Sequence, residues 1–152
     1  MPVPHLTRRW FVVLVLGLGL SAAACMPPAP APAPAPSPNA AAAVAYAEAQ
    51  IGKPYCYAGT GPGCFDCSGL TMRAWQAGGL ALPHFSGAQY AMFPKIALSQ
   101  IRPGDLLFPA DPGQHVAIYV GNKLMVHATT PGDVVRMAPL SDVPITLAVR
   151  PG

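Results

Sequence analysis

Few of the 152 residues can do nucleophilic or metal chemistry. There are four cysteines, Cys25, Cys56, Cys64 and Cys67, and beyond the N-terminal third three histidines, His84, His115 and His127. Cys67 follows a Gly-rich, aromatic stretch and opens a helical pattern. At a helix start, free backbone N–H groups and the positive end of the dipole favour a thiolate, which predicts a lowered thiol pKa. A thiolate opens an amide only when a base and an oxyanion binder stand near it, so the cysteine needs a histidine. His84, after Leu82-Pro83 in irregular chain, reads as a surface residue or one on the rim of a substrate cleft.

His115 and His127 flank a predicted hairpin, and its register decides whether they can cooperate. A three-residue loop, Gly121-Asn122-Lys123, pairs Val120 with Leu124 and Ala117 with His127. His115 then lies diagonal to His127 on one face, about 5–8 Å away. Val116, Ile118, Val120, Leu124 and Val126 gather on the other face. A two-residue turn at Gly121-Asn122 separates the histidines and sets Lys123 among the aliphatic side chains. A one-residue slip exchanges the faces, so apolar segregation selects the longer loop.

Blander readings of the same residues stand beside this one. A cysteine in a small domain is commonly buried or bridged, and a strand histidine is commonly core or surface. Cys64-Phe65-Asp66-Cys67 with two histidines also matches the ligand count of a zinc site. The reading taken is a thiol nucleophile with no metal and no cofactor. If Cys67 is the nucleophile and Cys25 is acylated, Cys56 and Cys64 remain. Outside the cytoplasm they can close a nine-residue loop as a disulfide worth about 2–3 kcal/mol. Two reduced, buried thiols are the alternative.

The elements that must carry these residues follow from patterning. Asn39 reads as the N-cap of a helix over 40–50, with Gly52 as its stop. A loop over 53–66 leads to a helix over 67–77 ended by Gly78-Gly79, and a short helix covers 86–92. Strands are expected over 106–108, 114–120, 124–128, 134–137 and 145–149, after a turn at Pro103-Gly104-Asp105. Helices first and strands afterwards make an α+β fold, with N-terminal helices packed on a small antiparallel sheet.

Ahead of that domain, assigned to residues 40–152, Arg8 and Arg9 precede an apolar run from Trp10 to Leu20, and small residues follow at 21–24. This is the pattern of an export signal over residues 1–24. Ala22-Ala23-Ala24 suits an ordinary signal peptidase. The same run before Cys25 resembles a bacterial lipobox, with Ala22 in place of the usual leucine, and would leave Cys25 acylated and the protein anchored to a membrane. Residues 25–39 are a Pro/Ala spacer, expected to be extended polyproline II about 40 Å long. Of the net charge of +3, two positive charges belong to Arg8 and Arg9. The remaining +1, with no basic patch, argues against nucleic acid as a partner.

Five segments in order resemble the NlpC/P60 cysteine peptidases of bacterial cell walls. They are Gly52-Lys53-Pro54-Tyr55, Gly59-Thr60-Gly61-Pro62, Asp66-Cys67-Ser68-Gly69-Leu70, Pro103-Gly104-Asp105-Leu106 and His115-Val116-Ala117-Ile118-Tyr119-Val120-Gly121. The resemblance implies a papain-like fold and hydrolysis of peptidoglycan stem peptides, usually between γ-D-glutamate and a diamino acid such as meso-diaminopimelate. It implies Cys67 as nucleophile, His115 as general base and His127 as the residue that orients it. The Cys67 N–H would supply part of an oxyanion hole, with Tyr55 nearby, and Asp66 and Ser68 would place substrate. Asp66 reads equally as a helix cap. Where many members carry Trp-Gly-Gly, this chain has Tyr57-Ala58-Gly59. The expectation is an exported, monomeric D,L-endopeptidase, lipid-anchored or secreted. The alternatives are a non-hydrolytic peptidoglycan-binding domain and a related amidase or acyltransferase.

Overall fold

A computed structural model describes residues 35–152. The expected export signal, Cys25 and most of the Pro/Ala spacer lie outside the described residues. Helix α1 (Pro38–Ala49) starts two residues earlier than its pattern suggested. Its cap is Ser37, whose hydroxyl accepts the Ala40 N–H at 3.2 Å, and Pro38 occupies the first turn. Proline's fixed φ is already helical and its missing N–H is not needed there, so Asn39 lies inside the helix rather than capping it. The last two residues of the spacer are therefore helical, not extended.

Helix α2 (Cys67–Ala77) has the expected bounds, capped by the Asp66 carboxylate, which accepts the Gly69 N–H at 2.6 Å. Ala40, Ala43 and Ala47 recur on the buried side of α1, and this row of small residues lets α1 lie close to α2. Helix α3 (Ser86–Met92) is short. Its Gln89 is fully buried; the amide donates to the Ser68 and Pro83 carbonyls and its oxygen accepts the Thr71 hydroxyl at 2.7 Å. One side chain thus ties α3 to α2 and to the connection before α3.

Five antiparallel strands follow: β1 (Leu106–Phe108), β2 (Ala117–Gly121), β3 (Leu124–His127), β4 (Arg136–Pro139) and β5 (Leu147–Val149). Their order in the sheet is β4-β3-β2-β1-β5. The architecture is the expected α+β arrangement. One face of the sheet, with Leu106, Phe108, Val116, Ile118 and Val126, packs on Leu70, Ala74 and Trp75. The other buries Leu107, Ala117, Met125, Ala138 and Ala148 beneath Ile96, Ile101 and Val143. Val120 reaches the helix-side core, but Leu124 does not join it.

The hairpin departs from the expected loop in an informative way. It closes on two residues, Asn122 and Lys123, both left-handed (φ 52° and 60°), with Gly121 paired to Leu124. Such a turn suits the twist of paired strands. A bulge at Val120 takes up the odd residue, so Tyr119 faces Met125 and Ile118 faces Val126. The strand bodies keep the register that apolar segregation selects. Strand β4 begins at Arg136 rather than Val134 because the preceding N–H groups are already engaged, that of Val134 by Asp133 Oδ1 and that of Val135 by the Lys53 carbonyl.

The Pro-Gly-Asp turn has a structural role that the pattern did not disclose. Asp105 is buried and receives Arg150 Nε and Nη2 at 2.8 and 2.7 Å, a bidentate pair that pins β5 and the chain's end. The Gly104 carbonyl accepts the Trp75 indole N–H at 3.1 Å. The turn thereby joins sheet, α2 and C-terminal segment.

Candidate active site

Cys67 is the first residue of α2 and half-buried. The helix start is pressed against the loop before it. A Cβ on Gly69 would lie 2.0 Å from the Gly59 carbonyl oxygen, and that same oxygen accepts the Asp66 N–H at 2.9 Å. The glycine after Cys67-Ser68 is thus a requirement of close approach. Within the loop, Cys56 and Cys64 are joined as a disulfide with Cα atoms 5.6 Å apart. Cys64 is therefore not free as a zinc ligand, and Cys67 is the free cysteine among the described residues. Ala58 holds a left-handed backbone (φ 56°) at the position where the family's pattern has glycine.

His115 lies just before β2, in irregular chain, and His127 ends β3. Their rings meet as the register requires, with His115 Nε2 3.1 Å from His127 Nδ1 and ring centroids 5.3 Å apart. This contact engages His115 Nε2, and His115 Nδ1 has no hydrogen-bond partner among the described residues. His127 is wholly buried, and its Nε2 has no hydrogen-bond partner among the described residues. Burial holds both imidazoles neutral, with pKa values lowered to about 4. For His115 the neighbouring His127 adds to the effect, and for His127 Arg136 does.

The thiol does not follow the simple helix-terminus expectation. Burial pushes the Cys67 pKa above its ordinary value, and the Asp66 charge pushes the same way. The backbone N–H groups of Val116, Ser68 and Cys67 itself pull it down without overcoming that. The pull from Val116, the residue after His115, places that part of the chain near the Cys67 thiol. At rest the pair is a neutral thiol and a neutral imidazole.

An open cleft of about 350 Å³ is lined by Cys67, Tyr55, Asp66, Ser68 and His84, with Tyr57 and Phe85 exposed at its rim. Burial, then the charges of Cys67 and Asp66, raise the Tyr55 pKa, so its phenol stays protonated and able to donate. Asp66 caps α2, as one of its two readings had it, and also lines the cleft. His84, expected at the surface or on the cleft rim, has Nε2 2.9 Å from each Asp66 carboxylate oxygen. That contact was missed, because no local pattern connects residues 18 apart. Ser68 is largely buried, its hydroxyl 3.4 Å from Asp66 Oδ1. A larger hollow of about 420 Å³ at Tyr46, Thr60, Arg73 and Gln76 has no cysteine or histidine in its lining.

A protein-family model described as NlpC/P60 family matches residues 52–147. The chain belongs to the NlpC/P60 family. A probable endopeptidase of Mycobacterium tuberculosis is 47% identical over 91 residues, covering 60% of this chain and 24% of that protein. The peptidoglycan endopeptidase RipA of the same organism is 41% identical over 112 residues, 64% of this chain and 24% of that protein. This NlpC/P60 chain thus spans about a quarter of the length of the curated relatives it matches. Among solved structures, RipD from Mycobacterium tuberculosis, described as a non-catalytic NlpC/p60 domain protein adapted to peptidoglycan binding, superposes with a TM-score of 0.67. It is 32% identical, covering 77% of this chain and all of that one.

Proposed function

We propose that this NlpC/P60 chain is an exported thiol peptidase that cleaves peptidoglycan stem peptides between γ-D-glutamate and the diamino acid. The observation that carries the reading is the His115–His127 contact of 3.1 Å, with the backbone of Val116, the next residue, near enough to lower the pKa of the cleft cysteine. A domain that only binds has no chemical use for a pair of neutral imidazoles next to a thiol.

In this mechanism His115 Nε2–H donates to His127 Nδ1, which leaves Nδ1 of His115 as the basic nitrogen. Cys67 Sγ attacks the scissile carbonyl while its proton passes to His115. Both partners start neutral, so charge develops only as the bond forms. The carbonyl oxygen becomes an oxyanion, met by the Cys67 N–H and the Tyr55 phenol. His115 then gives its proton to the leaving amine, and the C–N bond breaks to leave a thioester on Cys67. Water, deprotonated by His115, attacks that thioester, releases the acid and restores the thiol.

The test is mass spectrometry of stem peptides incubated with the protein and with its Cys67→Ala variant. Cleavage after the γ-D-glutamyl residue by the unaltered protein alone is the expected result. Intact peptides from folded, reduced protein would sink the peptidase reading in favour of a binding domain.

A further inference from the structure

The cleft wall contains one carboxylate, that of Asp66, and it is already occupied. Oδ1 receives the Gly69 N–H at 2.6 Å and the Ser68 hydroxyl at 3.4 Å as well as His84. Oδ2 has His84 Nε2, at 2.9 Å, as its one partner among the described residues. The imidazole thus covers the side of the carboxylate that would otherwise face the cleft. It can donate from Nε2 whether or not the ring is charged.

This placement is built rather than incidental. Buried Gln89 donates to the Pro83 carbonyl, one residue before His84, at 2.8 Å. It also donates to the Ser68 carbonyl, two residues after Asp66, at 3.0 Å. One amide with no exposure braces both sides of the pair. Asp66 itself cannot swing away, because its Oδ1 caps α2.

A carboxylate beside a nucleophile is a ready receptor for an ammonium group, and charge-assisted hydrogen bonds are about twice as strong as neutral ones. A stem peptide offers an ammonium from either of two sources: its own N-terminus once it has been cut from the glycan, or the side chain of an uncrosslinked diamino acid. We propose that His84 is a specificity-determining residue that fills this cation subsite from within. The protein then gains nothing from a substrate ammonium and accepts stems whose amines are acylated, as they are in the intact, crosslinked wall. This rests on the peptidase reading above and deepens it.

The experiment compares kcat/KM for L-Ala-γ-D-Glu-diaminopimelate with versions acetylated at the N-terminus, at the side-chain amine, or at both. Each is assayed with the protein and its His84→Ala and His84→Arg variants. In the unaltered protein, acetylation is expected to change kcat/KM by less than about 3-fold. In His84→Ala, with no donor left on Oδ2, acetylating one of the two amines should lower it about 10-fold, and which amine does so identifies the source. His84→Arg puts an N–H donor back on Oδ2 and should restore indifference, a pattern that simple damage to the fold would not produce. Equal acetylation ratios in the unaltered protein and in His84→Ala overturn the proposal, as does a preference for free amines in the unaltered protein. If the unaltered protein cleaves none of the four peptides, the peptidase reading has failed and this inference falls with it.

Discussion

Replacing His127 with Gln should flatten the acid side of the protein's stability curve. Both imidazoles have folded pKa values of about 4, below the ordinary 6.5. Between pH 6.5 and 4 the unfolded chain therefore takes up protons that the folded chain refuses. Stability falls as the pH drops through that window and is level above it. For one ring shifted from 6.5 to about 4, the loss between pH 7.5 and 4.5 is about 2.5 kcal/mol. His127→Gln removes one ring but keeps an acceptor for the His115 Nε2–H. Urea unfolding of both proteins at pH 7.5 and 4.5 gives the comparison, in which carboxylates common to both cancel. The unaltered protein should lose about 2.5 kcal/mol more than the variant over that interval. Equal losses, or a stability that rises on acidification, would refute a neutral, buried histidine pair. The same physics sets the acidic limb of kcat/KM near pH 4 instead of 6.5, because His115 must be unprotonated to accept the thiol proton.

Arg150→Ala should destabilise the fold by about 3 kcal/mol, since it strands the buried Asp105 carboxylate; the melting temperature reports it, and Arg150→Lys should recover only part. Cys56→Ser should cost about 2–3 kcal/mol through the lost nine-residue loop closure. Reductant should lower the melting temperature of the unaltered protein and leave that of the variant unchanged.

The helices, and the cysteine on one of them, were legible because their signals are local. Asp66, Gly69 and Gly78 act within four residues of their partners, so the bounds of α2 and the capping reading of Asp66 could be read along the chain. The meeting of His115 and His127 was legible for a related reason. The alternation of Val116, Ile118 and Val126 must turn inward, and only one register also brings the histidines together. The loop that delivers this register was misassigned, because a bulge plus a two-residue turn and a plain three-residue loop satisfy the same alternation.

Features that only the tertiary structure decided involve partners far apart in the chain. His84 meets Asp66 across 18 residues, and Arg150 meets Asp105 across 45. Neither pair has a periodicity to betray it, since each depends on where whole elements dock. The Cys67 pKa belongs to the same class. A helix start predicts a lowered value, yet burial beside the sheet and the charge of Asp66 outweigh the backbone N–H groups. The sequence alone singled out the cysteine and the histidines and placed Cys67 on a helix and His127 on a strand, while His115, expected within a strand, lies just before β2; capping, turn and alternation preferences act over a few residues. Packing decided their protonation states and their long-range partners, because desolvation and side-chain pairing exist only once the chain has closed around them.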